Sequence, residues 1–425
     1  MGLYRKISVN KRKRIPIQPQ TLNATSFVEI ARKGGSDICT VNLPVYRAST
    51  VLFETLDQAE AQIEASERGE PGASHYGTIG TPITFALRDA VAQIEGAGHA
   101  CRAAIMPSGL MAITTLLLAY LKPGDHLLVT DSAYGPTRVF CQGILARLGV
   151  RTTWYEPTIN PERLEALFEP ATRMIFLESP GSYTFEIQDV PGICSIARRH
   201  GVMTAIDNAW GSPVFAKPFD WGVDVSVLPL TKYWSGHADV LMGAVVVREE
   251  RWLPLWRAVR ELGICVSGDD AALILRGLRT VDVRMQRSQH NTLEVARWLE
   301  HRPEVGALLH PALPSHPQHE LWKRDFRGSS GLFSFELKTN PKGETPTRAQ
   351  IAAFCEGRRH FGIGYSWGGY ESLILPARID SLRSVSPWRG GPLIRVHIGL
   401  EDPADLIADL EAGFSAMARV GTGGR

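Results

Sequence analysis

The chain has 425 residues, 44% hydrophobic and 21% charged, which is ordinary for a globular protein and long enough for two or three buried cores. Its 46 basic and 44 acidic residues give a formal charge of +2, but six basic residues (Arg5, Lys6, Lys11, Arg12, Lys13, Arg14) stand before any acid. Without those six, 40 basic residues face 44 acidic ones, which argues against nucleic-acid binding by the body; and no apolar run reaches the length of a membrane span.

Residues 1–22 read as a flexible basic tail, with a nucleic-acid contact or an address as the alternative. No long apolar segment follows it, so a secretory signal is not expected. Residues 23–80 mix helical and extended fragments with Gly and Pro interruptions, the pattern of an arm or capping segment rather than of a domain. From about 81 to 250, within a domain expected over 81–278, short apolar strands alternate with longer helical stretches. The strands are expected at Ala103 to Met106, His126 to Thr130, Met174 to Glu178, Met203 to Asp207, Val223 to Leu228 and Ala244 to Val247. Such alternation implies βαβ units in a mainly parallel sheet, with functional loops at the carboxyl ends of the strands.

Four of those ends carry chemistry. The first strand runs into Pro107-Ser108-Gly109-Leu110, where Ser108 is a good helix N-cap and Gly109 lets a backbone approach an anion. Free amides at that helix start suit a phosphate, although strand-to-helix turns often use Ser and Gly for structural reasons alone. Tyr134 follows the next strand, placed either to stack on a flat ligand or to fill space.

Asp207 ends one apolar strand and Lys232, twenty-five positions on, follows another. A lysine amine condenses with the aldehyde of pyridoxal phosphate (PLP), and an aspartate keeps the pyridine nitrogen protonated so that the ring draws electrons from a substrate Cα. Amino-acid chemistry is therefore the leading expectation. Thr231 offers a hydroxyl either to the phosphate or to the local turn.

Beyond residue 278 a helical pattern over about 270–301 leads into a smaller α+β domain, 279–425. Strands are expected at Gly331 to Lys338 and Leu393 to His397, and a helix over Pro403 to Ala418. His310, His316 and His319 cluster among prolines without nearby cysteines, which reads as a polar loop rather than a metal site. Arg395 sits among apolar strand residues, placed either for a substrate carboxylate or for a strand-edge ion pair. The six cysteines are scattered without a CxxC pair, so neither a disulfide framework nor a metal site is expected, and reduced thiols fit the cytoplasm.

Eight segments taken together resemble the Cys/Met-metabolism family of PLP enzymes, over about Val41 to Ala418. They are Glu178-Ser-Pro-Gly-Ser182, Ile206-Asp207-Asn208, Thr231-Lys232-Tyr233, Gly236-His237, Arg276-Gly-Leu-Arg279-Thr280, Gly328-Ser-Ser-Gly-Leu-Phe-Ser334, Tyr365-Ser366-Trp367-Gly-Gly-Tyr-Glu-Ser372 and Ile394-Arg395-Val-His-Ile-Gly399. The resemblance implies an α/β fold-type-I, aminotransferase-like architecture. It also implies a homotetramer built from dimers that share active sites, acting on a small amino-acid substrate.

Carried over by position, Lys232 is the cofactor-linked and proton-transferring lysine, and Asp207 the pyridinium partner. Tyr134 stacks on the ring, Gly109 and Leu110 hold the phosphate, and Arg395, with Ser366 and Trp367, belongs to the substrate side. Tyr76 reaches the phosphate of the neighbouring subunit. Tyr365 stands where γ-eliminating members carry glutamate, which implies β-elimination at a carbon–sulfur bond of cystathionine or a related amino acid. Other carbon–sulfur lyases, γ-elimination or γ-replacement, and a non-catalytic PLP protein are the alternatives. Two positions depart from the family pattern: Thr78 replaces the usual arginine two residues after Tyr76, and Pro229 replaces a serine.

Overall fold

The computed structural model describes residues 23–30, 40–339, 344–379 and 381–422. The basic tail and Cys39 lie outside the described residues. Seven strands form the larger sheet: β1 (Cys101–Met106), β2 (His126–Thr130), β3 (Arg151–Tyr155), β4 (Thr172–Glu178), β5 (Met203–Asp207), β6 (Val225–Leu228) and β7 (Gly243–Arg248), in the order β1-β7-β6-β5-β4-β2-β3. All six expected strands form. β7 runs antiparallel to both β1 and β6, while β6-β5-β4-β2-β3 is parallel throughout.

β2, β5 and β6 are buried at every position, as strands covered by helices on both faces must be. Successive side chains alternate between two cores. Phe176, Ala205 and Val227 pack toward the helices Gly109–Tyr120 and Trp252–Glu261, whereas Ile175, Leu177 and Ile206 pack toward Val190–Arg199. β3 was not anticipated. Its Arg151-Thr-Thr-Trp-Tyr run is mostly half-exposed at the sheet edge, so it lacks the apolar signature of its neighbours.

The second sheet contains β8 (Val305–Leu309), β9 (Leu332–Leu337), β10 (Phe361–Gly362), β11 (Ser372–Pro376) and β12 (Leu393–His397), in the order β10-β11-β12-β9-β8. Helices Arg348–Cys355 and Pro403–Thr422 close its core around Phe335, Phe354 and Phe414. The helix expected over 270–301 is two helices, Gly268–Leu278 and Val281–Glu300, separated at Arg279 and Thr280. The break permits the first to pack beside Pro82–Gly96. The second then carries Val281 and Met285 into the core beneath the large sheet, and Val295 and Leu299 into that of the small one.

Candidate active site

At the carboxyl ends of β4, β5 and β6, facing the second sheet, lies a cavity of about 350 Å3. Ser108, Gly109, Leu110, Tyr134, Asp207, Thr231, Lys232, Ser366, Trp367 and Arg395 all line it. Residues separated by nearly three hundred positions thus meet at one place, the crevice where open parallel sheets bind ligands.

Its amine is Lys232, on the turn that follows β6. Nζ donates to Ser366 Oγ at 2.6 Å and sits 5.0 Å from the centre of the Trp367 ring. Burial, reinforced by the Arg395 charge and opposed by Asp207, lowers the amine from 10.5 to about 8. Lys232 therefore reaches the neutral form that attacks carbonyls and accepts protons near pH 8 rather than above pH 10. The turn itself is fixed by Thr231, whose hydroxyl donates to Met242 O (3.2 Å) and accepts from Met242 N (2.9 Å). Its proton is thus committed to the turn.

Behind the lysine, Gly368 adopts φ +87°, and a Cβ there would lie 2.9–3.1 Å from backbone atoms of Lys232 and Tyr233. Its amide donates to Nε2 of the buried His397 (3.0 Å), whose Nδ1 donates to Glu371 O (3.0 Å). Burial, with lesser help from nearby cations, lowers His397 to about 3, so the ring is neutral and this tautomer serves both bonds.

Asp207 ends β5 and is 7% exposed; the Ala209 amide donates to it at 3.1 Å. Burial pushes its carboxyl up, and Lys232 in the same cavity opposes that shift. A cationic group bound beside Asp207 would relieve the cost of burying that charge.

Across the cavity, the helix Gly109–Tyr120 is capped by Ser108 Oγ, which accepts from Met111 N at 3.1 Å. That leaves the Gly109 and Leu110 amides free at the positive end of the helix, a neutral cradle for phosphate. Pro229 closes one side: a Cβ on Gly109 would stand 3.0 Å from the Pro229 Cβ. Tyr134 is half-exposed at the rim, its hydroxyl made less acidic by burial and by the Asp207 charge.

Arg395, on β12, donates through Nη2 to Gly364 O and Ser366 O, while its buried Nε has no partner. A clamped guanidinium with a spare donor suits a carboxylate. Burial lowers its affinity for a proton. The donor set as a whole fits PLP bound to an amino acid, with an amine, a buried acid, a phosphate cradle and a carboxylate clamp.

Two expected residues stand elsewhere. Tyr365 is 79% exposed and lines an adjoining cleft with Ser366 and Trp367. Tyr76 is 48% exposed, its backbone paired with Thr50, and it does not line the cavity of its own chain. Beside it, Thr78 lines a separate cleft together with Arg257 and Arg260. Among the described residues no group of three or more His, Cys, Asp or Glu side chains is placed to hold a metal ion.

Glu178 is an ionisable lining residue to which sequence reasoning gave no role. Glu178 ends β4 as Asp207 ends β5, and the signal was the same, an apolar strand closed by an acid.

The fold and cavity together define an α/β enzyme of the PLP-binding fold-type-I class. Residues 24–415 match the family described as Cys/Met metabolism PLP-dependent enzyme, and the chain belongs to that family. It is 41% identical to cystathionine beta-lyase MetC of Escherichia coli strain K12, covering 92% of this chain and 98% of that one. It is 39% identical to the L-alanine/L-glutamate racemase of Wolbachia pipientis wMel, covering 93% and 98%. Among solved structures, cystathionine gamma synthase from Xanthomonas oryzae pv. oryzae aligns with a TM-score of 0.82 at 30% identity, covering 93% of this chain and 98% of that one.

Proposed function

We propose that this cavity catalyses β-elimination of L-cystathionine or a related sulfur amino acid. The Cβ–S bond breaks, the thiol (homocysteine) departs, and uptake of water by the remaining carbon skeleton yields pyruvate and ammonia. The single observation that carries this reading is Lys232, a buried amine lowered to about 8 and sharing one cavity with Asp207 and Arg395. The relative from Escherichia coli supports the choice of reaction, as does the tyrosine at position 365.

PLP, when bound, supplies an aldehyde for amines and a protonated ring that withdraws electrons from Cα. Lys232, as the neutral amine, takes the Cα proton and delivers it to the departing sulfur. Asp207 would keep the ring nitrogen protonated. Tyr134 would stack on the ring, and the Gly109 and Leu110 amides would hold the phosphate, with Thr231 shaping that wall. Arg395 grips the α-carboxylate, and Ser366 and Trp367 keep the lysine aimed. Tyr365 borders the path taken by the sulfur side.

Tyr76 acts in the cavity of a second chain, in a homotetramer of dimers, which accounts for its exposed position in one chain. The arm 23–80 carries it there, residues 81–278 form the cofactor domain and 279–425 the smaller domain. We place the enzyme in the cytoplasm; its five described cysteines are unpaired, and no helix among the described residues is long and apolar enough to cross a membrane.

Product analysis of the PLP-loaded protein with L-cystathionine tests the reading. Pyruvate with homocysteine is expected. Cysteine with 2-oxobutyrate would establish γ-elimination instead, and inverted alanine or glutamate without carbon–sulfur cleavage would establish racemisation.

A further inference from the structure

The register of the parallel pair β4/β5 sets Glu178 directly beside Asp207, and both side chains line the cavity. Glu178 is 8% exposed. Its Oε2 accepts the Tyr134 amide at 2.6 Å, and its Oε1 lies 2.7 Å from the Ser182 hydroxyl. Neither partner is charged. The guanidinium that faces this end, Arg383, directs Nη2 to Ser182 O, Thr184 Oγ1 and Glu186 Oε2.

Two ionised carboxylates on neighbouring buried strands repel one another, and burial penalises each of them further, so one of the two retains a proton. Asp207 faces Lys232 across the cavity and is the acid that a cationic ring would pair with. The groups hydrogen-bonded to the Glu178 carboxyl are neutral, and burial followed by the Asp207 charge pushes that carboxyl up against the opposing Ser182 and Tyr134 hydrogen bonds and the Arg383 charge. As the neutral acid it keeps both contacts: its carbonyl oxygen accepts from the Tyr134 amide, and its hydroxyl donates to Ser182 Oγ.

We propose that Glu178 is a positioning residue that works as the neutral acid, fixing Tyr134 against the face of the cofactor ring and leaving the single carboxylate charge of the site to Asp207. Tyr134 has no side-chain cap bond of its own and enters its helix through a non-helical backbone conformation. The Glu178 contact to its amide, together with the Thr137 and Arg138 amides on its carbonyl, fixes the backbone from which the ring leaves the chain. The proposal rests on the PLP reading of the cavity.

The test compares Glu178→Gln, Glu178→Asp and Glu178→Ala in the PLP-loaded full chain. The readouts are the visible-region circular dichroism of bound PLP, which reports ring tilt, and separate kcat and KM values. Glutamine is neutral, has the same shape and can serve both contacts, so E178Q should match the wild type in dichroism and in kcat. Aspartate is shorter by one methylene, and E178D should alter the dichroism and lower kcat by about 10²-fold, the scale of an ångström misplacement, with KM little changed. E178A should behave like E178D.

Loss in E178Q as large as in E178D would overturn the proposal, because it would show that the charge matters. Wild-type dichroism in E178D would overturn it equally. Failure of the PLP reading itself would appear in the wild type, as protein that holds no lysine-linked cofactor.

Discussion

Lys232 Nζ lies 2.6 Å from Ser366 Oγ, a hydrogen bond that spans 134 residues and ties the amine of the large sheet to the loop before β11. With Trp367 over the amine and Gly368 against its backbone, the lysine is held from three consecutive positions of one loop. The loop, in turn, is anchored by Arg395, which binds the carbonyls of Gly364 and Ser366.

Replacing Lys232 with alanine should remove the visible absorbance of lysine-linked PLP and nearly all turnover. In the wild-type apoprotein, the rate of PLP addition should rise with pH through about 8, because only the neutral amine adds to an aldehyde. Stopped-flow absorbance across that range checks both statements; full activity in the variant would refute the assignment.

Arg395→Ala should leave cofactor absorbance intact and raise KM by about ten- to a hundredfold, the worth of a charge-assisted hydrogen bond of ~1.5–3 kcal/mol. Steady-state kinetics separates this from a folding defect. A KM equal to wild type would return Arg395 to a purely structural part.

Gly368→Ala places a methyl group against the Lys232 and Tyr233 backbone at a positive φ. Destabilisation of about 1–3 kcal/mol is expected in denaturant unfolding. The displaced lysine should also slow PLP addition to the apoprotein.

Asp131, buried at the end of β2, receives the amides of Ser384, Val385 and Ser386, the Ser384 hydroxyl and the Arg138 guanidinium. Burial opposes its ionisation, but the Ser386, Ser384 and Val385 amides outweigh it and hold the carboxyl at about 2, below its ordinary 3.8. The folded value lies below the unfolded one, so this stabilisation is complete above pH 3.8 and is lost as pH falls toward 2. Asp131→Ala should cost about 3–5 kcal/mol by stranding buried Arg138, and should flatten the acid limb of the stability curve.

Tyr76→Ala and Lys232→Ala chains, refolded together, should recover activity that neither has alone, since a mixed dimer contains one cavity with both native residues. Recovery should track the fraction of mixed oligomer measured by native mass spectrometry. No recovery would place Tyr76 in the cavity of its own chain, and full activity of Tyr76→Ala alone would place it outside catalysis.

Much of the large sheet was legible because its central strands are buried on both faces and so read as unbroken apolar runs. The acids and amines that end those runs stood out for the same reason. β3 escaped notice because an edge strand with two threonines carries little apolar signal. The break at Arg279 and Thr280 escaped because helical periodicity continues across it, and only packing against two separate cores requires the chain to turn there.

Within the site, residue types and their order along the chain identified Lys232, Asp207 and Arg395 as chemical groups, since a strand end is a local property. Their function depends on more. That Lys232 meets Ser366, that Glu178 stands beside Asp207, and that the amine is lowered to about 8 are consequences of register, long-range contact and burial. Those quantities belong to the tertiary structure, because desolvation and electrostatic coupling depend on which groups share a cavity and not on how far apart they lie in sequence.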